Sequence, residues 1–201
     1  MKIIAALLMM GATAPVLALD FTVPEKLYLG GSYSTQDYAG ELKGRKLQAL
    51  GLTVGYQLND YFALESRFNR GVSGYASFYD LPGSSIGDYR EQLGWQSLLA
   101  VKASYPVISN LSVYGLLGYS NSDLKVDLLS ASTDSQSGQK IQTPARLNFT
   151  ENGVAYGLGF KLQTGKQMDI YLDYQQLPDF KPMNSVASSW KVVTLGANYY
   201  F

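Results

Sequence analysis

The 201-residue sequence contains no cysteine and no histidine. Without thiols there is no disulfide or thiolate chemistry. Without imidazole the chain lacks the commonest general base and metal ligand, and no Ser-His or Cys-His nucleophile system can form. The 16 basic residues equal the 16 acidic ones, so there is none of the basic surplus that binding to nucleic acid phosphates requires. We therefore expect no nucleic-acid partner, no metal and no cofactor.

Long apolar runs are also scarce, and the one that is present lies at the N-terminus. The segment "MKIIAALLMMGATAPVLALD" has one lysine, an apolar run and then small residues at 16–18. This pattern predicts a Sec signal peptide over 1–18 and a mature chain over 19–201. A membrane anchor is the alternative, but Gly11 and Pro15 interrupt a run of about minimal spanning length. We expect an exported protein with no helix in a membrane.

The mature chain instead shows apolar residues at every second position. In "LGLTVGYQL", Leu50, Leu52 and Val54 share one parity, while small and polar residues take the other. Because side chains alternate between the faces of a strand, this pattern predicts β-structure. The predicted strands are 26–35, 47–58, 61–70, 93–105, 111–121, 152–163, 168–177 and 189–201.

The connections between these strands alternate between short and long. The predicted short turns are 59–60, 106–110 and 164–167, and the predicted long polar loops are 36–46, 71–92, 122–151 and 178–188. An even number of strands with both termini at the short-turn end is the layout of a transmembrane β-barrel. The fold class that we predict is all-β: an eight-stranded antiparallel up-and-down barrel.

A soluble barrel of lipocalin type would show the same alternation, so the charged and aromatic residues must separate the two. The charged residues on the less apolar face balance, with three of each sign, as an enclosed lumen requires. These predicted lumen residues, expected to form one network, are Glu65, Arg67, Lys102, Lys161, Asp169 and Asp173. Aromatic residues near the strand ends predict two membrane girdles: Tyr33, Phe68, Trp95 and Tyr119 towards the loops, and Tyr56, Phe62, Tyr105 and Phe201 towards the turns. Both features favour the membrane barrel.

The last strand, "VVTLGANYYF", has one apolar face up to its final residue. The residues of that parity are Val193, Leu195, Ala197, Tyr199 and Phe201. Lipid would cover this face, and the strand would pair with the first one so that no edge remains open in the membrane.

Taken together, these segments resemble the OmpA/OmpX-type outer-membrane β-barrel family. The resemblance is carried by "GLTVGYQLNDYFALESRF", "VYGLLGYSNSD" and "GVAYGLGFKLQTGKQMDIYLDYQQL". It implies a barrel-only member without a peptidoglycan-binding domain, located in the Gram-negative outer membrane. The terminal aromatic strand resembles the signal that the barrel assembly machinery recognises, which implies that machinery and periplasmic chaperones as partners during biogenesis.

The function predicted from the sequence is non-enzymatic. Eight-stranded barrels that modify lipids rely on a histidine, which this chain lacks. We expect a monomer in outer-membrane lipid and lipopolysaccharide, with a lumen plugged by side chains. Its role would be structural or a surface interaction of the long loops with a host molecule or phage. The alternative is a small pore that passes ions or small solutes.

Overall fold

The computed structural model describes residues 26–37, 46–81, 85–133, 140–180 and 188–201. The predicted signal peptide, 1–18, lies outside these residues, as do most of the predicted loops 36–46 and 178–188. In the described part of the chain, no helix is long and apolar enough to cross a membrane.

The described residues form a closed antiparallel sheet. Its strands are β1 (Leu27–Asp37), β2 (Lys46–Gln57), β3 (Phe62–Ser73), β4 (Tyr75–Leu81), β5 (Ser85–Ile108), β6 (Leu111–Thr133), β7 (Lys140–Gln163), β8 (Met168–Phe180) and β9 (Ser188–Tyr200). Neighbours in sequence pair with each other, β1 pairs with β9, and β3 pairs with β5. The strand β4 resumes the path of β3 after Gly74 and also pairs with β5. The barrel wall therefore has eight strands, which confirms the predicted fold.

The short turns lie where the sequence predicts them. Asn59 shapes the first one, because its side-chain Oδ1 accepts hydrogen bonds from the backbone N–H groups of Tyr61 and Phe62, both at 2.9 Å. The second is a tight connection between Ile108 and Leu111, and the third lies between β7 and β8. These turns define one end of the barrel, and the last residues of β9 lie at the same end.

Two of the predicted long loops are wrong in extent, because strands occupy most of 71–92 and 122–151. The strands β5 and β6 stay paired out to Ile86↔Ala131, and β6 pairs with β7 out to Thr133↔Lys140. The physical reason is that the inward alternation continues past the predicted strand ends, with Leu124 and Val126 buried. Hydrogen-bonded hairpins therefore project from the barrel where the polar composition predicted loops.

The outer surface of the barrel is apolar. Leu117, Leu158 and Leu195 are exposed by 62%, 74% and 54%, and many other large apolar side chains share this surface. A water-soluble protein does not leave a belt of this size uncovered. Alternating positions on the same strands point inward, where small, polar, charged and apolar side chains are buried. The barrel is therefore built to be solvated by lipid, not by water.

Candidate functional site

The centre of the lumen holds a compact cluster of charged side chains. Glu65 and Arg67 project from β3, and Lys102 projects from the adjacent β5; all three are no more than 2% exposed. Arg67 Nε donates to Glu65 Oε1 at 2.6 Å, and Lys102 Nζ donates to Glu65 Oε2 at 3.0 Å. Tyr28 Oη donates to the same Oε2 at 2.6 Å. One carboxylate thus balances two cations that have lost contact with water.

A second carboxylate completes this central cluster from the opposite wall. Asp173 on β8 accepts hydrogen bonds from Tyr114 Oη and Gln175 Nε2, both at 2.7 Å. Arg67 Nη1 lies 2.8 Å from Asp173 Oδ2, which is a charge contact and not a well-aligned hydrogen bond. The Arg67–Asp173 pair thus crosses the lumen from β3 to β8.

Aromatic rings enclose the two cations of the central cluster. Lys102 Nζ lies 4.4 Å from the centre of the Tyr114 ring, and the Arg67 guanidinium lies 5.0 Å from that of Tyr171. Both distances fall within cation–π range. Gly196 makes room for Tyr171, because a Cβ on this glycine would overlap the ring. The rings fill the space that water would otherwise occupy around the charges.

The structure does not join all six predicted lumen charges into one network. Asp169 accepts hydrogen bonds from Asn198 Nδ2 at 2.8 Å and Tyr200 Oη at 2.6 Å, apart from the central cluster. Lys161 is partly buried and forms no ion pair within the described ranges. Both line a cavity of about 570 Å³ at the short-turn end. The reason is height: Asp169 and Lys161 lie within a few residues of the turn, whereas the other four lie deeper.

A layer of amide side chains lies beyond the central cluster, towards the long hairpins. Gln36 and Gln96 bond to each other across the lumen at 2.9 and 3.2 Å. Asn69 donates to Gln96 at 3.1 Å, Gln96 donates to Ser122 at 2.9 Å, and Trp190 Nε1 donates to Gln36 at 2.9 Å. This layer was not predicted from the sequence, although its members share the inward parity with the charged residues. Parity could have identified it.

A cluster of buried apolar side chains also faces the lumen. The fully or nearly fully buried members are Leu47, Leu93, Leu124, Val126, Leu177, Trp190 and Val192. Tyr89, Leu128, Leu147 and Phe149 are partly buried and pack against this cluster. Across the described residues, no group of His, Cys, Asp or Glu side chains is arranged to hold a metal ion.

Beyond the barrel, β4 to β7 continue as a projecting sheet. Among the described residues its two edges are β4, which pairs with β5, and β7, which pairs with β8 only as far as Tyr156↔Gln176 while its pairing with β6 continues. Glu91 lies on the inner face of this sheet, where it accepts a hydrogen bond from Tyr89 Oη. Burial raises the pKa of the Glu91 carboxyl from 4.5 to about 7.

The predicted girdle residues lie on the outer surface. Tyr33, Tyr56, Phe62, Phe68, Trp95, Tyr105 and Tyr119 are between 40% and 67% exposed. In the last strand, Val193 and Leu195 are exposed, and Ala197, Tyr199 and Phe201 are partly exposed. Their even-numbered neighbours 192, 194, 196 and 198 face the lumen and are buried. Each of these residues faces the side of the wall that its odd or even position in the strand implies.

Comparison with known proteins identifies the class of this barrel. The family model described as "Outer membrane protein beta-barrel domain" matches residues 4–201. The chain therefore belongs to this family, and it is an integral protein of the Gram-negative outer membrane. No curated protein sequence matches it.

Solved structures are similar to this chain, and Neisserial surface protein A shows the same fold. It is 15% identical with a TM-score of 0.59, covering 88% of this chain and 97% of that one. The attachment invasion locus protein of Yersinia pestis is 19% identical with a TM-score of 0.48, covering 87% and 96%. The N-terminal barrel domain of Pseudomonas aeruginosa OprF is 13% identical with a TM-score of 0.46, covering 87% and 97%.

Proposed function

We propose that this protein is a non-enzymatic, monomeric barrel with a plugged lumen that acts through its outer surface. The observation that carries the proposal is the filling of the lumen by three successive layers: central charges, amides and apolar side chains. An eight-stranded barrel has an interior just wide enough for side chains to fill. Each polar layer also ties together strands that are not neighbours. The side chains in the lumen thus stabilise the barrel wall, and the outer surface makes the contacts with other molecules.

The projecting sheet supports a role in surface interaction. From Trp95 to Ser85, β5 runs on for a length on the order of 30 Å beyond the girdle. The free edge of β7 and the outward row Arg90–Asp127–Arg146, in which Arg146 Nε donates to Asp127 Oδ1 at 2.6 Å, are both presented to the exterior. A sheet edge and a mixed-charge face are surfaces on which a host or phage protein can dock.

Conductance tests the plug. Purified barrel inserted into planar bilayers should give no steady ion current under an applied voltage. The double variant Glu65→Gln/Lys102→Met, which removes one charge of each sign, should remain closed because the amide and apolar layers are intact. A stable open conductance level in the unmodified protein would contradict the plugged lumen and support the alternative function, a small pore.

Cell binding tests the surface role. Cells carrying the full chain should bind a host-cell or phage panel more strongly than cells in which the hairpin beyond Leu124 and Phe149 is replaced by a short turn. Heat-modifiable migration on gels verifies that the shortened barrel has assembled. If the two cell types bind equally to every member of the panel, the outer hairpin has no role in surface interaction. The structural function would then be the better explanation.

A further inference from the structure

An arginine lies on the lipid-facing surface at the height of the outer girdle. Arg70 on β3 is exposed and stands in register opposite Trp95 on β5. Its guanidinium carbon lies 4.7 Å from the centre of the Trp95 ring, which is itself 59% exposed. Aromatic girdles sit at the level of the lipid headgroups. The guanidinium is therefore held at headgroup depth on the outer side of the membrane.

No carboxylate among the residues that the structure describes pairs with this guanidinium. Within the described part of the chain, the ion pairs of Arg67, Lys102 and Arg146 lie elsewhere, and none involves Arg70. Asp123 lies near Gly94 on the opposite side of Trp95, and its Oδ1 accepts a hydrogen bond from Thr150 on β7 at 2.8 Å, away from β3. A cation that faces a bilayer without a protein counter-ion is stabilised by pairing with an anionic group of the lipid.

A second cation stands on the other side of the tryptophan. Lys125 on β6 is exposed, and its Cε lies 3.5 Å from the position that a Cβ would take on Gly94, the neighbour of Trp95. Two residues closer to the membrane centre, the surface is apolar: Phe68 and its register partner Leu52 are 48% and 45% exposed. The patch thus has cations above and an apolar surface beneath, which is the polarity of an anionic lipid in the outer leaflet.

We propose that Arg70, Trp95 and Lys125 form a binding site for a headgroup phosphate of the outer-leaflet glycolipid, the lipid A part of lipopolysaccharide. A guanidinium pairs with phosphate through two parallel N–H···O bonds, and stacking on Trp95 orients its plane. Lys125 supplies a second charge, and acyl chains cover Phe68 and Leu52. The proposal depends on the placement in the outer membrane and not on whether the lumen is plugged.

Native mass spectrometry of the refolded barrel can measure this binding, with bisphosphorylated lipid A and dephosphorylated lipid A as the two probes. The unmodified protein should bind the phosphorylated form about tenfold more tightly, as loss of one charge-assisted hydrogen-bonded pair implies. Arg70→Gln should abolish this preference, and Arg70→Lys should retain part of it. The matched control is Arg90→Gln. It removes an exposed arginine on β5, five residues from Trp95 and farther from the membrane, and should leave the preference unchanged.

The proposed site would be contradicted if Arg70→Gln still preferred phosphorylated lipid A. It would also be contradicted if Arg70→Gln and Arg90→Gln lost this preference equally, because that would indicate diffuse surface charge. Competition by millimolar inorganic phosphate would indicate a site for a free anion and not for a lipid. Heat-modifiable migration verifies that each variant is folded. If Arg70→Gln fails to fold, Trp95→Leu against Trp95→Phe provides the test, because only the aromatic replacement should keep the preference.

Discussion

At the scale of single residues, Lys102 shows how the lumen holds a charge without water. Its ammonium group has one carboxylate partner, Glu65 at 3.0 Å, and faces the Tyr114 ring at 4.4 Å. Asp173 is bound instead by Tyr114, Gln175 and Arg67. Arg67 therefore contacts both carboxylates of the central cluster, whereas Lys102 pairs with Glu65 and not with Asp173.

This difference predicts the outcome of a double-mutant cycle. Lys102→Met should destabilise the barrel by about 3–5 kcal/mol, because it leaves the Glu65 charge with less compensation in a dry site. Adding Glu65→Gln should restore part of the loss, and adding Asp173→Asn should restore less. Urea unfolding in lipid vesicles measures these free energies, and Asp169→Asn is the control because Asp169 lies outside the central cluster. Additive losses in all combinations would show that the charges are independently solvated.

Glu91, which lies outside the membrane beyond Trp95, predicts a pH dependence. Its pKa is about 7 in the folded protein and 4.5 when unperturbed, so the folded state retains a proton that the unfolded state releases between these values. Stability should therefore fall as pH rises from about 4.5 to about 7, by at most about 3 kcal/mol, and then level off. Glu91→Gln should remove this contribution in unfolding curves recorded at pH 5 and pH 8. A loss of the same size in the variant would assign the effect to other groups.

The side on which each residue lies was predictable from parity, but its partner was not. Parity places Arg67 and Asp173 in the lumen; their contact depends on the closure of the barrel, which brings β3 opposite β8. Similarly, Gln36 and Gln96 are neutral and distant in sequence, so a search for charges overlooked them. Contacts across a lumen depend on strand order and stagger, which a single sequence does not state.

At the scale of elements, the strands extend further than composition suggested. Polar outward residues such as Arg90, Lys125 and Arg146 made 71–92 and 122–151 resemble loops, while the inward residues kept their alternation. A bulge at Gly94 and Trp95 shifts the register between Leu93 and Gln96 and changes which parity faces inward on β5. If the whole strand is assumed to keep one parity, the residues beyond the bulge are assigned to the wrong face.

The last strand predicts a contrast between neighbouring residues. Phe201 lies on the lipid side, with its ring 5.3 Å from that of Tyr199, whereas Tyr200 Oη donates to Asp169 in the lumen at 2.6 Å. If the lipid-facing parity is the assembly signal, Phe201→Ser should lower the yield of assembled barrel far more than Tyr200→Ser. Tyr200→Phe separates the roles, since it should assemble normally and lose only stability. Heat-modifiable migration of membrane fractions measures the yield, and equal defects in both serine variants would contradict the proposed signal.

At the scale of the whole molecule, closure and orientation follow from the same layout. Pairing of β1 with β9 leaves no strand edge in the membrane, where an unpaired backbone group has no water to bind. The short turns then belong on the periplasmic side and the projecting sheet outside, because outer-membrane barrels have short periplasmic turns. Between the two girdles, the wall presents only the apolar parity to lipid.

The absence of cysteine makes this orientation directly testable. Asn148 on the projecting part of β7 and Asn110 in the second short turn are both exposed asparagines. In intact cells, a membrane-impermeant maleimide should label Asn148→Cys and leave Asn110→Cys unmodified, because the outer membrane shields the periplasmic end. Permeabilising the outer membrane should then expose Asn110→Cys, and the unsubstituted chain is the blank because it has no thiol. Labelling of Asn110→Cys alone in intact cells would require the barrel to be inserted with the opposite orientation.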